Sequence, residues 1–124
     1  MENVSMTGCD LHDKKMVLRT VLGRGNERPM EAENTPAGRL ALISKLKKDA
    51  AAAGCKRIVL VYEASGLGFG LHDELSEAGI ECFVLAPTKI ARSQKQKKEK
   101  TDTKDAQQLL ELLRAHILAG NALP

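Results

Sequence analysis

The chain has 124 residues, of which 43% are hydrophobic and 28% are charged, and its formal net charge is +3. This length and composition fit one globular domain, and they exclude a disordered chain and a large two-domain enzyme. Two Phe, one Tyr and no Trp are too few for a surface that binds single strands by stacking bases on aromatic rings.

The three cysteines are Cys9, Cys55 and Cys82, an odd number without zinc-ligand spacing or a disulfide framework. Cys9 and Cys82 lie in apolar runs, so we expect both to be small buried residues. The sequence shows no signal peptide and no apolar run of membrane-spanning length. We therefore expect a cytoplasmic protein without a membrane partner.

The first third of the chain is predicted to form an antiparallel meander. Thr7–His12 and Met16–Gly23 are the first two strands, and the turn Gly23–Asn26 follows. The segment ERPMEAEN returns as a third strand, in which Pro29 favours an edge position because proline has no N–H to donate.

A helix is then predicted from Thr35 as N-cap and Pro36 as first helical residue to a stop at Gly54. Leu40, Ile43 and Leu46 recur at three-residue steps along it, with Leu42 and Ala50 beside this stripe.

The second half alternates strands and helices. The apolar runs RIVLVYE (Arg57–Glu63) and IECFVLAP (Ile80–Pro87) predict parallel strands buried on both faces. A glycine-rich loop and a short helix ending at Gly79 lie between them. A short helical piece near Ile90 and a last helix from about Asp102 to Leu118 complete the chain.

Three meandering strands followed by two strand–helix units predict one mixed five-stranded sheet with helices on both faces. This is the three-layer α/β arrangement of the ribonuclease H-like fold, as a single domain over residues 1–124. A simple doubly wound nucleotide-binding fold would lack the opening hairpins.

Four acidic residues are expected to converge in this topology. Asp10 lies in the first strand and Glu63 ends a neighbouring one, while Asp102 and Asp105 share one face of the last helix. Four carboxylates at one edge of the sheet would suit Mg²⁺, which takes oxygen ligands. Two such ions can promote displacement at a phosphodiester.

Each acid also has a structural interpretation. Asp102 and Asp105 could be an N-cap and a first-turn acid that interact favourably with the helix dipole. Glu63 could be a polar strand end. Asp10 is harder to explain in this way, because an acid between Cys9 and Leu11 is costly to bury unless it is paired or binds a metal.

A basic segment precedes the last helix. The segment from Lys89 to Lys104 contains seven basic residues and two acidic ones, so its net positive charge exceeds that of the whole chain. It could be an ordinary solvated loop, or it could bind a nucleic acid backbone. The candidate nucleic-acid-binding residues are Lys95, Lys97, Lys98, Lys100 and Lys104.

Other features carry weaker signals. SGLGFG (Ser65–Gly70) resembles a phosphate-binding loop but has the wrong glycine spacing, so a tight turn is favoured over a nucleotide-binding domain. His12 lies near Asp10 and is a candidate for contact with a phosphate or another ligand. His72 and His116 are interpreted as helix-surface residues.

The last helix carries a broad apolar stripe, which could pack on the domain's own sheet or pair with another subunit, making a homo-oligomer. The stripe comprises Ala106, Leu109, Leu110, Leu113 and Ile117, widened by Leu112 and Leu118.

Four segments in order carry a resemblance to a known family: GCDLHDKK, YEASGLGFG, LAPTKIARSQ and KTDTKDAQQL. Together they resemble the amino-terminal domain of DEDD transposases of the insertion-sequence one-ten family, over nearly the whole chain. The resemblance implies a Holliday-junction-resolvase-like domain of ribonuclease H fold. It also implies that Asp10, Glu63, Asp102 and Asp105 are the family's four catalytic acids and hold Mg²⁺ or Mn²⁺.

The resemblance further implies site-specific transposition of an insertion sequence, with DNA as partner and, in some members, a guide RNA encoded by the element. Members carry a carboxy-terminal domain with a serine, for which this sequence has no room. We therefore expect an isolated domain or truncated copy that performs only part of a Mg²⁺-dependent reaction. The alternative is a module that binds guide RNA or DNA without cleaving it.

Overall fold

The structure is a computed structural model that describes residues 3–23, 25–63, 70–85 and 102–120, with the backbone alone for residues 102–105. Its strands are β1 (Val4–Leu11), β2 (Lys15–Leu22), β3 (Arg28–Glu33), β4 (Arg57–Glu63) and β5 (Glu81–Leu85). Its helices are α1 (Pro36–Ala52), α2 (Leu71–Glu77) and α3 (Asp102–Ala119). The loop SGLGFG up to Phe69, the helical piece near Ile90 and the basic segment up to Lys100 lie outside the described residues.

The five strands form one mixed sheet in the order β3-β2-β1-β4-β5. β1, β2 and β3 pair antiparallel, whereas β4 and β5 run parallel to β1. The meander followed by two parallel strands confirms the predicted ribonuclease H-like fold class. Pro29 lies in β3, which is an edge strand as predicted.

The two faces of the sheet are covered by different helices, since side chains alternate between the faces along each strand. On one face, Leu46 of α1 and Leu75 of α2 pack against Cys9 of β1 and Leu60 of β4. On the other face, Leu110 and Leu113 of α3 pack against a second cluster of strand residues: Val4, Met6, Val21, Val59 and Val61. Helices therefore lie on both faces.

The start of α1 follows the predicted capping pattern. The Thr35 hydroxyl accepts a hydrogen bond from the Gly38 N–H at 2.9 Å, and Pro36 is the first helical residue. The buried stripe comprises Leu42, Ile43, Leu46 and Ala50. Leu40 is 68% exposed, so its assignment to the stripe is wrong. Leu42, Leu46 and Ala50 follow each other at four-residue steps, which stay on one face, whereas Leu40 lies about a quarter turn or more away.

One strand boundary and two side chains also differ from expectation. β1 begins at Val4 instead of Thr7, because its first residues pair with β2 on one side and β4 on the other. Cys9 is buried, but Cys82 is only half-buried on the edge strand β5. His116 is not a plain surface residue, since its ring meets Phe83 edge-on at 5.3 Å between centroids.

The apolar stripe of α3 covers the domain's own sheet. Ala106, Leu110 and Leu113 are fully buried, and Leu109, Leu112 and Ile117 pack around them. Leu118 is 61% exposed. Pairing with another subunit therefore stays a prediction. None of the helices in the described ranges is long and apolar enough to cross a membrane.

Candidate active site

Asp10 and Glu63 stand beside each other at the carboxyl ends of β1 and β4. Cys9 pairs with Tyr62 in the parallel register, so the next residues, Asp10 and Glu63, are also neighbours on strands about 4.8 Å apart. Asp10 shares the face of Gly8, and Glu63 shares the face of Val61. Both carboxylates therefore lie on the face covered by α3, and both are half-buried.

Gly8 lets α3 come close to this part of the sheet. A Cβ atom at Gly8 would overlap the carbonyl oxygen of Ala106 and the backbone nitrogen of Leu110. The backbone of α3 thus crosses β1 directly at Gly8, two residues before Asp10. Only glycine leaves room for that contact, because every other residue would place an atom inside the helix backbone.

The direction of α3 follows from its contacts. Ala106 lies over Gly8, while Leu113 belongs to the cluster that contains Val4. Farther along, Arg114 donates to Glu27 at 3.0 Å, beside the carboxyl end of β2 and hence the amino end of β1. The helix therefore runs opposite to β1, and its first turn lies toward the end of the sheet that carries Asp10.

Asp102 and Asp105 are in that first turn. Their side chains lie outside the part of the chain that is described, but the backbone is helical from Asp102. Positions 102 and 106 are four apart and therefore on one helix face, with position 105 next to them. The structure thus brings Asp10 and Glu63 together and places the helical turn of the other two acids at the same end. The joint site of all four stays a prediction.

Most of the predicted nucleic-acid-binding residues lie outside the part of the chain that the structure describes. Lys95, Lys97, Lys98 and Lys100 lie outside the described residues, and Lys104 is placed by its backbone only. Among the side chains that are described, no three His, Cys, Asp or Glu residues are grouped as a metal site. Two of the four predicted ligands are not in that set.

The thiol next to Asp10 does not belong to the site. Burial, and secondarily the neighbouring Asp10 carboxylate, raises the pKa of Cys9 far above its ordinary value. Since the thiolate is the form that binds metals or attacks electrophiles, Cys9 stays a neutral core residue. It also faces α1 and α2, on the side of the sheet opposite to Asp10. The described donors on the α3 face are thus carboxylates, which suit Mg²⁺ or Mn²⁺.

His12 contacts Asp10 directly. Its Nε2 lies 2.9 Å from Oδ2 of Asp10, and because an ionised carboxylate only accepts, Nε2 is the donor. The sequence placed His12 near Asp10 but assigned it to an external ligand. The period-two spacing of the two residues, which puts them on one strand face, is the signal that could have indicated the contact.

Three residues around the β1–β2 turn were missed by the sequence analysis. Asn34 donates its amide N–H to the carbonyl oxygen of His12, Arg39 donates to Asn34, and Glu74 accepts from Arg39. Asn34 and Arg39 lie near the start of α1 and Glu74 lies in α2; together they form no motif, so the sequence pattern contains no signal for them.

Comparison with known proteins assigns the chain to a family. The sequence model described as "DEDD_Tnp_IS110: Transposase" matches residues 7–123. The chain belongs to this transposase family. The matched range includes Asp10, Glu63 and the whole of α3.

Two curated relatives agree with this assignment. The transposase for insertion sequence element IS1533 of Leptospira borgpetersenii is 29% identical over 93% of this chain and 32% of its own length. The protein y4rJ of Sinorhizobium fredii (strain NBRC 101917 / NGR234) is 31% identical over 86% of this chain and 28% of its own length. The chain thus spans about a third of the length of these relatives.

Among solved structures, RuvC of Thermus thermophilus matches 97% of this chain and 82% of its own, with 15% identity and a TM-score of 0.43.

Proposed function

We propose that this transposase-family domain acts on phosphodiester bonds of DNA during transposition of an insertion sequence. In this proposal Asp10, Glu63, Asp102 and Asp105 hold Mg²⁺, or Mn²⁺ in its place. The observation that supports it most is the position of Asp10 and Glu63 directly after the paired residues Cys9 and Tyr62, on the α3 face and at the end of the sheet where α3 begins. We also propose that the domain acts in the cytoplasm.

The arrangement has a feature that a purely structural role does not explain. Asp10 and Glu63 are like charges on neighbouring strands, half-buried and on one face. Like charges at that separation oppose each other, and the cost grows as water is excluded. A divalent cation would offset this repulsion, and the donors are oxygens of the kind that Mg²⁺ prefers.

The residues would divide the work as follows. Asp10 and Glu63 provide ligands from the rigid sheet, and Asp102 and Asp105 provide them from the first turn of α3. Bound Mg²⁺ would supply Lewis-acid stabilisation of charge on the phosphate and would activate the attacking oxygen. Lys95, Lys97, Lys98, Lys100 and Lys104 would hold the DNA backbone, and contact with a guide RNA would use the same phosphate chemistry.

Cleavage and binding of branched DNA separate this proposal from the alternative of a non-cleaving binding module. We expect labelled four-way junction DNA to be cleaved in Mg²⁺ or Mn²⁺, and cleavage to be lost in Asp10→Asn and Glu63→Gln. Glu31→Gln, an exposed acid on the edge strand β3, is the matched control and should cleave normally.

Each result has a defined meaning. Cleavage that survives in both Asp10→Asn and Glu63→Gln would overturn the assignment of the acids. Tight junction or RNA binding without cleavage by the original chain, at any concentration of either metal, would overturn the catalytic proposal in favour of the binding module.

A further inference from the structure

His12 is placed to control the orientation of Asp10. Its Nε2 donates to Oδ2 of Asp10 at 2.9 Å, and the two side chains are 37% and 18% exposed. We propose that His12 is a positioning residue, which fixes the Asp10 carboxylate in the orientation that a divalent cation requires. This inference rests on the metal site of the proposed function.

A carboxylate at the end of a strand can rotate, and each rotation moves both oxygens. A donor held against one oxygen fixes the plane of the group. The carboxylate has two oxygens and about four acceptor positions, so it can accept from His12 and still bind a cation. Hydrogen-bond partners of this kind orient metal ligands, and their loss typically weakens metal binding about 10- to 100-fold.

The backbone of His12 is itself held in place. His12 is the first residue after β1, and its N–H donates to the carbonyl oxygen of Lys15 at 2.9 Å across the turn. Asn34, just after β3, donates its side-chain amide to the carbonyl oxygen of His12 at 2.9 Å. The backbone N–H of Asn34 donates to the carbonyl oxygen of Lys14 at 3.0 Å. The turn that carries His12 is therefore bonded on both sides.

Asn34 is fixed in turn by the helices on the opposite face. Nη1 of Arg39 in α1 donates to Oδ1 of Asn34 at 3.1 Å, which sets which way the amide points. Nε of Arg39 lies 3.0 Å from both carboxylate oxygens of Glu74 in α2. A continuous series of polar contacts thus runs from α2 through α1 and the β3–α1 connection to His12 and Asp10.

Two other roles for His12 make different predictions. If His12 only stabilises the fold, its removal should lower stability and leave metal affinity unchanged. If His12 only contacts a phosphate of DNA, its removal should weaken DNA binding and leave metal affinity unchanged. A positioning role predicts weaker metal binding in the absence of DNA, from a chain that is still folded.

The test is a titration of the full chain with Mn²⁺ alone, followed by water-proton relaxation. We expect His12→Ala to weaken Mn²⁺ binding about 10- to 100-fold. His12→Gln, whose amide N–H can take the place of Nε2, should recover most of this loss. His72→Ala is the matched control, since His72 lies on α2 and its side chain is 51% exposed; it should bind Mn²⁺ like the original.

Asn34→Asp gives a second variant that leaves His12 and Asp10 intact. It replaces the amide donor facing the His12 carbonyl oxygen with an acceptor, and should weaken Mn²⁺ binding by a smaller factor than His12→Ala. Circular-dichroism melting without metal shows whether each variant is folded at the titration temperature. If His12→Ala does not fold, His12→Gln and Asn34→Asp decide the question.

Asp10→Asn separates failure of this inference from failure of the proposed function. If Asp10→Asn binds Mn²⁺ as tightly as the original, the metal site itself is refuted. If Asp10→Asn loses the metal while folded His12→Ala keeps full affinity, only the positioning role of His12 is refuted. Equal losses in His12→Ala and His12→Gln would also overturn it, because the donor would then not be what matters.

Discussion

The two ends of the sheet use charge in opposite ways. At the amino end, charges of opposite sign meet: Arg57 pairs with Glu81 across the starts of β4 and β5, and Glu27 accepts from both Arg19 and Arg114. At the carboxyl end, the like charges of Asp10 and Glu63 lie side by side. The amino end is arranged to stabilise the fold, whereas the carboxyl end brings two carboxylates to adjacent strands, a repulsion that a bound cation would offset beyond what the His12 contact with Asp10 provides.

Glu27 shows how the amino end contributes to the fold. It precedes β3 and joins Arg19 of β2 to Arg114 of α3, at 3.2 and 3.0 Å. Its side chain is 21% exposed, so water screens these contacts only in part. The pairing fixes the carboxyl-terminal half of α3 against the sheet. The first half of α3 is positioned separately, by the close approach of its backbone to Gly8.

Gly8→Ala tests whether α3 really connects the two ends. The added Cβ would overlap the backbone of α3 at Ala106 and Leu110, so helix or strand must shift. We expect the free energy of unfolding to fall by about 3 kcal/mol, measured by urea denaturation. Gly54→Ala is the control, because its Cβ meets no atom within 4 Å although its φ is +74°. It should lose about 1 kcal/mol from backbone strain alone. Equal losses would argue against the close approach.

Replacing the basic segment tests whether its lysines bind the DNA backbone. We expect replacement of Lys95, Lys97, Lys98 and Lys100 by Gln to weaken DNA binding across sequences. The salt dependence of binding should flatten by about one unit of slope for each lost phosphate contact. Binding isotherms at several salt concentrations measure both effects.

The matched control removes four lysines near the other end of the sheet, in the second half of α1 and before β4. All four are exposed: Lys45, Lys47, Lys48 and Lys56. Their replacement should leave the salt slope unchanged. Equal effects of the two sets would mean that DNA binding follows total charge and not the candidate site.

Some of this arrangement follows from sequence and some does not. β4 was predictable because a strand buried on both faces is a continuous apolar run, and α1 because Thr35 and Pro36 form a recognisable helix start. The proximity of Asp10 to Glu63 followed from topology, since parallel strands end at one edge. The contacts of Asn34 with His12, and of Arg39 with Glu74, join residues 22 and 35 positions apart. Pairings of that kind depend on tertiary packing and leave no local periodicity.

Gly8 is the clearest case of a residue whose role only the structure shows. A glycine inside a strand is compatible with a bulge, a bend or a close approach of another backbone. Only the packing of Leu110 and Leu113 against Met6 and Val4 shows that a helix crosses here. The contribution of the acids in its first turn to the site stays a prediction, and it depends on this crossing.

Asp10→Asn tests the electrostatic cost at the carboxyl end without any substrate. The change removes one of two like charges and keeps an oxygen that can accept from His12. Without metal, we therefore expect stability to stay the same or rise by about 1 kcal/mol. Adding Mg²⁺ should raise the melting temperature of the original chain more than that of the variant, because ligand binding to the folded state shifts unfolding.

Thermal melts of both proteins with and without Mg²⁺ measure these shifts, and Glu31→Gln serves as a charge control away from the site. A structural Asp10 would give the opposite pattern. Strong destabilisation of Asp10→Asn without metal, together with equal Mg²⁺ responses, would contradict both the repulsion and the metal site at the carboxyl end.

The smallest expected effect is at the amino end and depends on pH. Hydrogen bonding to Arg57 is the main cause that lowers the pKa of Glu81 below its ordinary value of 4.5. Because the folded-state pKa is lowered, the pair stabilises the fold fully at pH values above the ordinary pKa of 4.5. The contribution is lost as the pH falls through the lower pKa of the folded state. Since the Glu81 side chain is 45% exposed, we expect Arg57→Gln to cost less than about 1 kcal/mol at pH 7.

The difference in stability between the original chain and Arg57→Gln should shrink as urea denaturation is repeated at falling pH, and also at high salt. A difference that persists unchanged at low pH would mean that Arg57 stabilises the strand start through packing of its aliphatic stem, and the amino end would then not be held by charge pairing at this position.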